Sequence, residues 1–160
     1  GGRLVYSMSK GATQAIMIAK TSGQAAPVVL VQNQANLLPD WSPTGEWIVY
    51  SSAPGNWALI SPDGKEKRDL GQIATPHLTF SKDGKTLYGI RAEGNHQYLF
   101  SLAIATGQVK TIGDVGSEFA PRSYTNPGIR FSVSPDGGSI LYPTFSAKTG
   151  LWMMEGFEQP

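Results

Sequence analysis

Two histidines, three turn aspartates and one long polar loop are the residues whose types could do chemistry. His77 and His96 are the only histidines, and cysteine is absent. A structural metal site wants clustered nitrogen and sulfur ligands, and no His-x-x-x-His pair occurs. Each histidine therefore reads as a polar strand-end or loop residue. Asp63, Asp83 and Asp136 each precede a glycine. A calcium loop needs several oxygen ligands within about a dozen residues, whereas each of these turns offers one Asp, so turn geometry explains them better. There is no Gly-x-Ser-x-Gly elbow and no complete Gly-x-x-x-x-Gly-Lys-Ser/Thr phosphate loop. The expectation is a chain with no catalytic, cofactor-binding or metal residue, and not an enzyme.

The elements that position these residues repeat. Ser42-Pro43-Thr44-Gly45 is a tight turn followed by the β-prone run Trp47 to Ser51. The same design returns at Ser81-Lys82-Asp83-Gly84 before Leu87-Tyr88, and at Ser134-Pro135-Asp136-Gly137 before Ile140-Leu141-Tyr142. Pro presets φ, Asp or Thr caps the turn, and Gly supplies the positive φ that closes it. A third strand follows each hairpin: Trp57 to Ile60, Tyr98 to Leu102, and Leu151 to Met154. Two fourth strands follow, Lys67 to Leu70 and Gln108 to Ile112. Arg3 to Ser7, Gln14 to Ala19 and Pro27 to Val31 fit the same frame as a second, third and fourth strand. The steps Tyr6 to Tyr50, Tyr50 to Gly89 and Gly89 to Tyr142 are 44, 39 and 53 residues. Four antiparallel strands per unit of roughly 40 residues is the blade of a β-propeller. The expected blades are 1–35, 36–73, 74–115 and 129–160, with a long interblade loop at 116–128.

These hairpins resemble the TolB-like propeller repeat, whose core runs Trp/Phe-Ser-Pro-Asp-Gly and then a strand ending in an aromatic. Pro62-Asp63-Gly64-Lys65 fits the second turn of that repeat, and the resemblance covers nearly the whole chain. The departures are Lys82 for Pro, Thr44 for Asp, and Gly89 for a bulky residue. The resemblance implies a propeller with a binding role, in a periplasmic or other extracytoplasmic setting. The same fold also occurs in prolyl oligopeptidase-type peptidases, where it gates substrate, and in sensor-like domains of signalling or transcription proteins.

In propellers the interblade loops and the second-to-third strand loops gather on one face. His77, His96 and the 116–128 loop fall there. That loop is the best functional candidate, because long loops are often functional. It carries Phe119, Arg122, Tyr124 and Asn126, and aromatic and Arg residues are typical interface anchors. The other reading is a plug over the central channel. Trp41, Trp47, Trp57, Trp152 and Met153-Met154 read as blade packing rather than ligand platforms. The partner expected on this face is a protein or peptide.

Composition bounds the rest. The chain has 160 residues, 40% hydrophobic, with 19 Gly and 11 Pro that fall mostly at the turns. Aromatic and β-branched residues persist between those turns, which points to an all-β fold rather than disorder. The net charge of +1 implies no nucleic-acid partner. No apolar stretch approaches the length of a membrane-spanning helix. Counting strands as three, four, four and three suggests the C-terminal part of a larger propeller. The edges Arg3 to Ser7 and Leu151 to Met154 would then be open to edge-to-edge pairing with a second copy.

Overall fold

The computed structural model describes residues 2–10, 13–33, 38–117, 131–134 and 136–142. Among them every regular element is a strand. β1 (Arg3–Lys10), β2 (Thr13–Lys20) and β3 (Val28–Asn33) form a three-stranded antiparallel sheet. β4 (Asp40–Trp41), β5 (Ile48–Ala53), β6 (Asn56–Ile60) and β7 (Lys67–Gln72) form a four-stranded one in chain order. β8 (Leu78–Phe80), β9 (Thr86–Glu93), β10 (His96–Ala103) and β11 (Val109–Gly116) repeat it. β12 (Ser132–Val133) pairs with β13 (Ile140–Leu141) to begin a fourth unit. These are the blades of a partial β-propeller. The strand expected at Leu151 to Met154 lies outside the described residues.

One turn chemistry makes the hairpins. In the 42–45, 81–84 and 134–137 turns the glycine N–H donates to the carbonyl of the serine three residues back. The serine hydroxyl of the second and third turns donates to the Asp carboxylate, Ser81 to Asp83 at 2.6 Å and Ser134 to Asp136. That oxygen then accepts the N–H five residues on, Thr86 or Ser139. Where Thr44 replaces Asp, the Ser42 and Thr44 hydroxyls bond each other at 2.7 Å. The same turn recurs between β6 and β7, at Ser61-Pro62-Asp63-Gly64. As the turn residues predict, Gly45, Gly84 and Gly137 have φ of 82°, 70° and 73°.

The apolar residues form layers between successive blades. Ile16 of β2 packs with Ile48, Tyr50, Ala58 and Ile60. Val49, Trp57 and Leu59 pack with Leu78, Leu87, Phe100 and Leu102. Ile90 and Leu99 pack with Phe131, flanked by Val133 and Ile140. A middle blade is therefore apolar on both faces, and Ile48-Val49-Tyr50 is an unbroken buried run for that reason. Trp57 is core, while Trp41 and Trp47 are half-buried against the layers; Trp152, Met153 and Met154 lie outside the described residues.

A polar bond also joins the second blade to the third. Asp40 Oδ2, on the first strand of the second blade, accepts from the Thr79 hydroxyl at 2.8 Å and the Phe80 N–H at 3.4 Å.

Candidate functional site on the loop face of the third blade

The end of the third blade that carries the β9–β10 turn also carries the start of β8. His77, just before the first strand, and His96, at the start of the third, therefore sit at the same end. They differ in surroundings. His77 is 5% exposed, with its ring edge-on to Phe131 at 5.8 Å. Its backbone is held by Thr75, whose hydroxyl donates to the His77 carbonyl and accepts the Ile90 N–H from β9. The His77 ring is thus part of the packing at this end of the blade.

His96 is on the surface. Its Nδ1 meets Asp114 Oδ2 at 2.7 Å, with side chains 46% and 41% exposed. The other Asp114 oxygen accepts the Gly116 N–H at 2.7 Å. That amide is the main reason the Asp114 carboxyl is held below its ordinary value; partial desolvation opposes it, and His96 adds to the lowering. Tyr98 stands beside His96, ring centroids 6.4 Å apart. In register, Tyr98 faces Arg91 on one side and Asp114 on the other, and His96 faces Glu93. Alternation along each strand puts all of these on one face of the blade. Arg91 donates to Glu93 at 2.7 Å and to Thr111 at 2.9 Å, with its guanidinium 5.8 Å over the Phe100 ring.

A histidine held by a carboxylate through one nitrogen can present the other to a partner as a hydrogen-bonding group. As a base it would act on water or on a substrate proton rather than on a protein nucleophile, since Asp114 is the one hydrogen-bond partner His96 has among the described residues. No group of three or more His, Cys, Asp or Glu able to hold a metal occurs among them either. Gly84-Lys85-Thr86, which echoes the end of a phosphate loop, lies inside a hairpin. Its amides are spent on Ser81 and Asp83. Phe119, Arg122, Tyr124 and Asn126 lie outside the described residues. Asp114, Tyr98 and Arg91 were missed in the sequence. Asp114 is 18 residues from His96, and only the strand register brings them together.

Blades of four antiparallel strands, packed face to face with their turns gathered at two ends, define a β-propeller fold. It is a TolB-like propeller fold. TolB from Acinetobacter baumannii superimposes with a TM-score of 0.68 at 19% identity, over 87% of this chain and 35% of that one. A TolB described as putative, from Agrobacterium tumefaciens, gives 0.60 at 18%, over 72% and 47%. An oligogalacturonate lyase in complex with manganese gives 0.59 at 17%, over 82% and 41%. This chain thus spans less than half the length of each. The lyase shows that propellers of this shape can be enzymes. No protein-family model and no curated protein matches the chain. No helix among the described residues is long and apolar enough to cross a membrane.

Proposed function

We propose that this chain is a non-catalytic propeller module that docks a protein or peptide on the loop face of its blades. The observation that supports this reading is the surface group at the end of the third blade. His96 is held by Asp114 and flanked by the Tyr98 ring, Arg91 is held by Glu93, and no metal cluster adjoins them among the described residues. Such a group fits the polar and aromatic rim of an interface. In this reading Phe119, Arg122, Tyr124 and Asn126 extend the surface from the adjoining loop. The test is capture of a partner by the immobilised chain, compared with H96A, Y98A, R122A and Y124A. Loss of capture with thermal unfolding nearly unchanged supports docking. Unchanged capture in all four, or loss of fold stability alone, overturns it.

A second reading is the propeller part of a larger enzyme, favoured by the likeness to the oligogalacturonate lyase. Activity on a sugar polymer that falls with H96A would select it.

A further inference from the structure

The other end of the blades carries a different feature. The hairpin turns 42–45, 81–84 and 134–137 of three successive blades meet around a crevice of about 310 Å³. Pro43, Phe80, Tyr88 and Val133 give it apolar walls, and Lys82 and Gly137 stand on its border. The Ser81 and Ser134 hydroxyls also reach it but are spent on their own turns. The Asp83 and Asp136 carboxylates turn back likewise, onto the Lys85 and Gly138 amides.

Two polar groups are left over. Lys82 is exposed and, among the described residues, forms no ion pair or hydrogen bond; the Tyr88 hydroxyl has no partner there either. Gly137 borders that hydroxyl: a Cβ built there would lie 3.9 Å from it, in ordinary contact. Lys82 stands where the neighbouring turns carry Pro43 and Pro62, and Thr44 stands where they carry Asp. Lys82, the one of the two that lines the crevice, adds a cation there.

We propose that this crevice binds an extended peptide segment of a partner protein through an apolar side chain followed by an Asp or Glu. The apolar side chain lies between Phe80, Tyr88 and Val133. The carboxylate meets the Lys82 ammonium and the Tyr88 hydroxyl. The volume is at the lower end of ligand pockets, which run from about 300 Å³ upward, so it suits one or two side chains rather than a larger organic ligand. A side-chain carboxylate fits better than a free C-terminus, because terminal carboxylates are captured by unspent backbone amides. The turn amides here are already bonded. The site lies at the opposite end from His96, so either surface can fail without the other.

The test is a titration of the isotopically labelled chain, followed by amide NMR shifts, with the capped peptide Gly-Gly-Phe-Glu-Gly-Gly. Saturable shifts are expected at Lys82, Tyr88, Val133 and Gly137. Replacing Glu by Gln or Phe by Ala in the peptide, or Lys82→Gln in the protein, should weaken binding by about tenfold or more, the scale of a hydrogen bond to a charged group. Lys110→Gln, on β11, should leave it unchanged. Equal binding of the Glu and Gln peptides, shifts away from the crevice, or no saturation by a few mM (~4 kcal/mol of binding) would overturn the proposal. Tighter binding by a peptide ending in a free Phe carboxylate would overturn it too.

Discussion

Gly89 and Phe100 form a size-matched pair that can be tested as one. They face each other across β9 and β10, as Tyr50 and Ala58 do across β5 and β6. One blade puts the large side chain on the second strand, and the next puts it on the third. Phe100 is 1% exposed and Tyr50 fully buried. A Cβ built on Gly89 would lie 2.4 Å from Phe100 Cζ, 2.7 Å from Cε1 and 3.0 Å from Leu78 Cδ2. Gly89 has ordinary strand φ, so the conflict is purely one of space. Gly89→Ala should therefore destabilise by about 1–3 kcal/mol through overpacking, less about 0.4–1 kcal/mol for the stiffer unfolded chain. Phe100→Ala should cost about 3–5 kcal/mol, plus about 0.5–1 kcal/mol for the Arg91 guanidinium over its ring. The combination Gly89→Tyr with Phe100→Ala recreates the arrangement of the preceding blade. It should be more stable than the sum of its parts by about 1–3 kcal/mol, the upper range of contact coupling. Urea unfolding of the unaltered protein, Gly89→Tyr, Phe100→Ala and the double variant, at a shared m-value, measures this. Additivity within about 0.5 kcal/mol would refute the exchange of volume between the strands.

Other perturbations separate local from interblade effects. Gly45→Ala and Gly84→Ala both place a side chain at positive φ, but only the Gly84 Cβ would meet the next turn, 2.7 Å from Ser42 Oγ. Each should lose about 1–2 kcal/mol to left-handed strain, with a further loss for Gly84; equal losses in chemical unfolding would show that the two turns do not press on each other. Thr79→Val removes the hydroxyl bonded to Asp40 and should cost about 1.5–3 kcal/mol, the range for bonds to charged groups; a change within error would refute its role in joining blades. Asp83 is held below its ordinary 3.8 by the Ser81 hydroxyl first and the Lys85 amide second. Because its folded value is the lower one, its stabilisation is complete above 3.8 and is lost as pH falls through that lower value. Melting temperature should therefore drop below pH 3.8 and drop less in Asp83→Asn; identical acid profiles would count against the turn carboxylate.

The turns were legible because everything they need is local. Ser, Asp and Gly within four residues fix both the reversal and its hydrogen bonds, so the blade frame could be counted from Ser42, Ser81 and Ser134. The role of the serine hydroxyl, accepting an amide five residues on at Ser61, Ser81 and Ser134, is not legible from turn composition. Gly89 read only as a departure, because its meaning depends on Phe100, and that register follows from the length of the intervening β9–β10 turn. His77 is a loop residue just before β8, in keeping with the turn formers Thr75 and Pro76, but its ring contact with Phe131, 54 positions away, is not legible from them. His96 was found by residue type alone. Its partner Asp114 lies beyond two register shifts between β10 and β11 that spacing does not reveal.

The Asp40 bond also gives the chain a direction. Asp40 emerges during synthesis well before Thr79 and Phe80, which lie 39 and 40 residues downstream. At about 5–20 residues per second, its acceptor waits some seconds for those donors. During that wait the second blade can already form its own sheet, while its Val49, Trp57 and Leu59 face has no neighbour. When the third blade arrives, its first strand finds an anchor already placed, and the carboxylate sets the height at which that strand docks. The second blade thus acts as the mould for the third. Translation that outpaces the closing of the second blade would leave the apolar face exposed with no carboxylate in place to seat its partner.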